Sequence, residues 1–457
     1  MTTQPATSGG LRKNRNFQRL FLGQSISIIG DSVFIVTVML WIATRIAAGE
    51  RWAPAAVSGA LIASAVPALA VGPFAGVWVD RWNRRRTMLT ADAARCALIA
   101  CLLVLPALRS ELPVGAQLGI LYAVLAVAGA FGEFFDPSRL AIIGVIVPAE
   151  DQPQASGRLQ ATMAFAQVIG PPVAAPLLVL FGPSWALIVD AASYGISFLC
   201  IRAITTPASS ETDQRRDSER ASFGAELRAG LRFFAGNRVL MALAVTGMIA
   251  TLGAGAVNAL AVFFVLHDLH ASASWLGVTA SAIGVGAIAG ALGGGALANR
   301  VGPGRLLWIG MTGAGVILVA LACCTAIAPA LVACFGVGVG VGIVNAMDAP
   351  ISLRTTPSHM IGRVSAVFSP LLQLSAIIAM ALAGYLASTV LHHFHLVIAG
   401  VTFGPYNTLF AIGGILFVLS GLGSIVPLRD IPEASVTAEP GAVEPAANAA
   451  TQPGLAT

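Results

Sequence analysis

Twelve runs of roughly twenty or more mostly apolar residues constrain this chain more than any other feature. They fall at 17–44, 55–79, 86–108, 116–137, 157–181 and 184–203, then at 239–267, 273–298, 304–326, 328–348, 363–390 and 405–427. An α-helix rises about 1.5 Å per residue, so about twenty apolar residues cross the ~30 Å hydrocarbon layer of a bilayer. Twelve such runs use most of the 457 residues and leave short loops, two tails and one longer linker. Only 10% of residues are charged, 56% are hydrophobic and the mean hydropathy is +0.83. This excludes a soluble enzyme, a disordered chain and a singly anchored protein. An all-α polytopic membrane protein is expected.

The runs divide the chain into an N-tail at 1–16, six spans at 17–203, a linker at 204–238, six more spans at 239–427 and a tail at 428–457. The tail is rich in Ala, Pro, Glu and Thr and reads as disordered. Near the end of the linker Phe223, Leu227, Leu231 and Phe234 recur at helical spacing, with Glu226, Arg228 and Arg232 off that stripe. This predicts a helix lying on the membrane surface. Of the 26 Lys and Arg, 22 lie in or near the tails, the linker and the even-to-odd loops, while Arg45, Arg51 and Arg109 lie on the opposite side and Arg95 within a span. Such a bias places both termini in the cytoplasm and explains the net charge of +5 without a nucleic-acid partner. The polar, small-residue start from Met1 to Gly10 has no cleavage site after the first apolar run, so no removed signal peptide is expected. Cys96, Cys101, Cys200, Cys323, Cys324 and Cys334 lie in apolar runs without metal-ligand spacing and read as small buried hydrophobes.

The halves repeat one another. Gly76-x-x-x-Asp80-Arg81 closes the second span and Gly295-x-x-x-Asn299-Arg300 the eighth, 219 positions later. Asp136-Pro137 ends the fourth span and Asp348-Ala349-Pro350 the tenth; Gly157-Arg158 opens the fifth and Gly362-Arg363 the eleventh. Two six-helix halves related by duplication follow, and substrate sites in such proteins lie between the halves at mid-depth.

The loop from Gly76 to Arg86 carries the pattern G-x-x-x-D-R-x-x-R-R and resembles the signature between helices 2 and 3 of the major facilitator superfamily. The resemblance spans about residues 11–427 and is closest to the drug:proton antiporters that include macrolide-efflux and enterobactin-exporter proteins. Stretches from Asn16 to Asp31, Asp92 to Arg95, Phe134 to Pro137, Trp185 to Asp190 and Gly230 to Asn237 carry that branch likeness. In the fifth span the antiporter pattern G-x-x-x-G-P-x-x-G-G is read as Ala166-x-x-x-Gly170-Pro171-Pro172-Val173-Ala174-Ala175, with three glycines replaced by alanine. The resemblance implies two pseudo-symmetric six-helix bundles in the plasma membrane, a monomer, no cofactor, and exchange of protons for a small amphiphilic compound. Import, facilitated movement or lipid transfer on the same fold is the alternative, and a non-transporting scaffold would need neither the loop nor a mid-depth acid.

The resemblance also assigns a conformational latch to Gly76, Asp80, Arg81, Arg84, Arg85 and Asp136. Gly72 and Gly76 offer a face for close helix approach, Asp80 can meet a helix N-terminus, and Asp136 can partner the Arg84–Arg86 cluster. Charges within spans are costly and point to function. Asp31 stands near mid-depth with no base within a helical turn, which makes it the first candidate for proton exchange; Glu133 and Asp190 follow. Asp92 and Arg95, at i and i+3, are expected to form a structural ion pair. Gly170 and Pro171 should bend the fifth span, and Gly336, Gly338, Gly340 and Gly342 should allow tight packing of the tenth. His267, His270, His392, His393 and His395 read as solvated loop residues rather than metal ligands. No Walker A sequence, nucleophile elbow or zinc signature is present, so transport energy must come from a gradient.

Overall fold

The computed structural model describes residues 10–79, 82–108, 110–205, 223–355, 361–398 and 401–425. After a short α1 (Gly10–Lys13), the N-terminal half comprises α2 (Arg15–Trp41), α3 (Ala53–Ala70), α4 (Gly72–Val79), α5 (Arg84–Leu102), α6 (Val114–Ile146), α7 (Gln152–Phe181) and α8 (Pro183–Arg202). A linker helix, α9 (Phe223–Gly236), leads to α10 (Arg238–Phe263), α11 (Ser274–Val301), α12 (Pro303–Ala322), α13 (Ile327–Thr355), α14 (Ile361–Tyr385) and α15 (Pro405–Gly423). A small antiparallel hairpin, β1 (Leu396–Ile398) with β2 (Val401–Phe403), pairs Leu396 with Phe403 between α14 and α15.

Among the described residues eleven helices are long and apolar enough to cross a membrane. The twelfth position belongs to α5, whose Arg84, Arg85, Arg86, Asp92 and Arg95 keep it from qualifying. The second expected span is two helices, because Pro73 brings no N–H to the Leu69 carbonyl and the backbone ladder breaks beside Val71. Three helix ends differ from the expected ones. α6 continues nine residues beyond Pro137 and α13 five beyond Pro350, each carrying its proline inside the helix. The third span, expected to reach 108, ends at Leu102 and passes into turns.

The packing repeats as the sequence does. In the N-half α2 packs on α7 and α8, α5 on α6 and α8, and α3 on α6; in the C-half α10 packs on α14 and α15, α12 on α13 and α15, and α11 on α13. Small residues make the closest seams. A Cβ on Gly290 would stand 2.7 Å from the Val339 carbonyl carbon, and one on Gly342 equally close to that of Ala287, so α11 and α13 meet backbone to backbone. The expected glycine packing in the tenth span is thus present. The cysteines depart from expectation: Cys334 is buried, but Cys101 and Cys323 are exposed on the outside of the bundle.

Asn14, Asn83 and Asn237 cap α2, α5 and α10 through their side-chain oxygens. These caps, with Arg202, mark one end of the bundle, here the terminal end; the opposite is the far end. Asn14 Nδ2 also donates to the Ile146 carbonyl at 2.6 Å, and Arg19 donates to that of Ala203, tying α2 to the ends of α6 and α8. On α9, Phe234 is buried and its ring lies 6.4 Å from that of Phe368 on α14, while Leu231 is half exposed. The linker helix therefore docks on the C-half through Phe234 rather than resting on lipid alone.

The halves meet from the far end to mid-span. Gly277 of α11 lies against Pro171 and Pro172 of α7, and Gly384 of α14 against Ser58 of α3. Pro172 has no N–H, so the Val168 carbonyl lacks its helical donor; the Ser281 hydroxyl of α11 donates to it instead. Ser388 Oγ accepts from the Ala55 amide at 3.2 Å, and Gln373 Nε2 donates to the Ala65 carbonyl at 3.3 Å.

Candidate coupling site

Three helices of the N-half bring together Asp31 and Asp190, two of the three acids expected to exchange protons, while the third, Glu133, stands on α6. Asp31 projects from α2, Asp92 and Arg95 from α5, and Asp190 and Tyr194 from α8. Gly30 permits this approach: a Cβ there would stand 3.0 Å from Asp190 Oδ1 and 2.8 Å from Ser193 Cβ. Asp92 and Asp190 are wholly buried, and Asp31 is half-buried.

Asp31 is not alone, as its own helix suggested. The Tyr194 hydroxyl donates to its Oδ1. The partner comes from α8, which no spacing within the first span could reveal. Asp190 lies behind Gly30, and neither of its carboxylate oxygens meets a hydrogen-bond donor.

The expected Asp92–Arg95 ion pair does not form. Neither Asp92 oxygen meets a donor in good hydrogen-bond geometry, although the Ser197 hydroxyl and Arg95 both lie near them. Arg95 is drawn toward α6 instead. Its Nε donates to the Ala128 carbonyl at 3.2 Å, and its guanidinium fills the space over Gly132 where a side chain would stand. It lies 5.6 Å from the Phe135 ring centroid and 5.5 Å from that of Tyr194, between two aromatic faces.

Toward the terminal end a polar seam joins α6, α2 and α8. Arg139 Nη2 pairs with Asp136 Oδ1 at 3.1 Å, Arg139 Nη1 donates to Gln24 Oε1 at 3.3 Å, and Gln24 Nε2 donates to Ser197 Oγ at 3.2 Å. Asp136 therefore takes Arg139, one helical turn away, rather than the arginine cluster. Arg84 donates to the Ala141 carbonyl at 3.4 Å, and Arg85 to those of Ile201 and Arg202, the last of which lacks a helical donor at the end of α8.

Of the remaining latch residues, Asp80 and Arg81 lie outside the described residues. Gly76 faces open space rather than a neighbouring helix; the close approach occurs at Gly72, where a Cβ would stand 2.9 Å from Glu133 Oε2. Beside the loop, the Trp78 ring stacks on Phe134 at 5.8 Å and Trp82 packs on the same ring at 5.6 Å. Gly170 receives Ser32 of α2, whose Oγ donates to the Ala166 carbonyl at 3.0 Å, while Pro171 lies against Gly277. Among the described residues no three His, Cys, Asp or Glu side chains gather as metal ligands would.

Sequence reasoning missed Tyr194, Gln24 and Arg139. A signal existed for the first two. Asp190, Ser193, Tyr194 and Ser197 form a polar stripe at i, i+3, i+4 and i+7 in an apolar helix, and Gln24, Ser27 and Asp31 form another.

Two six-helix bundles meeting face to face, with ionisable groups buried in one of them, define a polytopic membrane transporter architecture. The chain matches the Major Facilitator Superfamily over residues 20–380 and belongs to it. It is 24% identical over 244 residues to macrolide efflux protein A of Streptococcus pyogenes, covering 53% of this chain and 57% of that protein. To the uncharacterized MFS-type transporter YkuC of Bacillus subtilis (strain 168) it is 25% identical over 236 residues, covering 50% and 52%. The chain thus spans little more than half the length of these curated relatives. Its fold is similar to that of the nucleoside transporter NupG, with a TM-score of 0.70, 9% identity, and coverage of 90% of this chain and 99% of that one. Family and structural neighbours are transporters, not enzymes.

Proposed function

We propose that this chain is a secondary active exporter that exchanges protons for an amphiphilic organic compound, such as a drug, macrolide or siderophore. One observation carries the reading. Asp31 stands within the bundle, held by Tyr194 and not by a direct ion pair, so its carboxyl group is free to exchange a proton. The charge distribution supports the same substrate class. Away from their ends, α10 to α15 carry a single charged residue, Asp348 in the last third of α13, so the C-half offers a largely apolar wall opposite an acidic N-half. The name of macrolide efflux protein A agrees with export.

The distribution of basic residues supports a cytoplasmic position for both termini, and the reading as an exporter implies the plasma membrane. In that orientation the far end faces outward, and the contacts between the halves there support entry of substrate from the cytoplasmic side. Inverted membrane vesicles test the function. A panel of dyes and antibiotics should include compounds taken up only under an imposed proton gradient, and Asp31→Asn should abolish that dependence. Uptake in wild type that ignores the gradient would refute antiport.

A further inference from the structure

We propose that Tyr194 is a positioning residue for proton exchange at Asp31: its hydroxyl holds the Asp31 carboxyl group while its ring holds Arg95 away from it. The inference rests on the reading of Asp31 as the exchanging acid. The geometry has two parts. The hydroxyl of Tyr194 donates to Asp31 Oδ1, and the ring of the same residue lies 5.5 Å from the Arg95 guanidinium, with Phe135 at 5.6 Å on another side. Tyr194 is 6% exposed, so α2, α5 and α8 together fix its ring.

Arg95 is near enough to Asp31 to act on it, but no ion pair within 4.0 Å joins them. The separation matters chemically. A carboxylate in direct contact with guanidinium would stay ionised through the neutral range, and one with no donor at all in a buried site would stay protonated. A hydroxyl donor with a cation held at a distance lies between these limits, where a proton can be both taken and released. The charged and titratable groups around Asp31 are Arg95 and Asp92 from α5, Asp136 from α6, and Asp190 and Tyr194 from α8. At this level α7 meets α2 through Ala166 and Gly170, which carry no charge.

The two parts of the role predict opposite effects. Tyr194→Phe keeps the ring and removes the hydroxyl, so the proton midpoint of Asp31 should rise by about one pH unit. Tyr194→Leu removes both, frees Arg95 to approach the carboxylate, and should lower the midpoint. Phe135→Leu opens the other side of the clamp and should also lower it, which keeps the clamp testable if Tyr194→Leu does not fold.

Infrared difference titration of the purified full-length protein reads this without a substrate. The carboxyl stretching band that Asp31→Asn deletes identifies Asp31, and its midpoint is then compared among wild type, Tyr194→Phe, Tyr194→Leu and Phe135→Leu. Opposite shifts for Tyr194→Phe and the two leucine variants support the proposal. An unmoved midpoint in Tyr194→Phe, or shifts of the same sign in all variants, overturns it while leaving Asp31 as the exchanging acid. If Asp31→Asn deletes no band between about pH 4 and pH 10, the functional reading falls, and this proposal with it.

Discussion

Gly277→Ala should push the two halves apart at the far end. A Cβ at Gly277 would stand 2.6 Å from both Pro171 C and Pro172 Cα, about 0.8 Å inside the ordinary contact limit of 3.4 Å. These are backbone atoms in a proline-rich stretch of α7, so neither can swing aside as a side-chain tip could. Overpacking of this kind costs typically ~1–3 kcal/mol. The penalty applies only while α7 and α11 touch, so it should shift the far-end-closed population by about 5- to 150-fold. The helix-propensity gain of alanine over glycine, about 1 kcal/mol, acts in both states and cancels. Gly293, on the same helix with no atom within 4 Å of its Cβ position, supplies the control. Spin labels at Val179 and Ser272, in a background lacking the six native cysteines, would report far-end distances by pulsed electron resonance. Gly277→Ala should deplete the short-distance population and Gly293→Ala should not. Equal distributions in Gly277→Ala and wild type, or an equal shift in Gly293→Ala, would refute the reasoning.

Other outcomes follow from the same contacts. Ser281→Ala should weaken far-end closure by ~1 kcal/mol, read with the same labels, because the Val168 carbonyl loses its donor. Pro172→Ala restores an N–H to that carbonyl, so Ser281→Ala should be nearly neutral in its background. Arg85→Ala should lower thermal stability in detergent by a few degrees, since it releases the end of α8, whereas Arg86→Ala on the exposed face should not. Reporter fusions at Pro207 and Ala434 should report cytoplasm and one at Pro113 the outside; any exchange among the three contradicts the proposed orientation.

The fold was legible because a bilayer leaves the backbone few options. Apolar runs of spanning length must become helices, and the Asp80, Asp136 and Gly157 features and their counterparts revealed the duplication. Helix ends were less legible. Pro137 and Pro350 look like stops, yet each sits inside a helix whose neighbours and own length absorb one missing hydrogen bond. The acids themselves were readable as costly charges at depth, but their partners were not. Arg95 is three residues from Asp92, yet Gly132 on another helix offered its guanidinium space and Phe135 and Tyr194 offered ring faces. Local spacing sees only the i+3 neighbour; it does not see the vacancy left by a glycine 37 positions away.

Purified protein in liposomes, loaded with a transported dye identified from the panel and given an imposed pH difference, tests the central claim most directly. Wild type should move the dye against its gradient while protons run down theirs. Asp31→Asn, which fixes the uncharged form of the side chain, should lose gradient-driven movement but retain dye exchange between equal concentrations. Gradient-driven efflux that persists in Asp31→Asn would contradict the account and move proton exchange to Glu133.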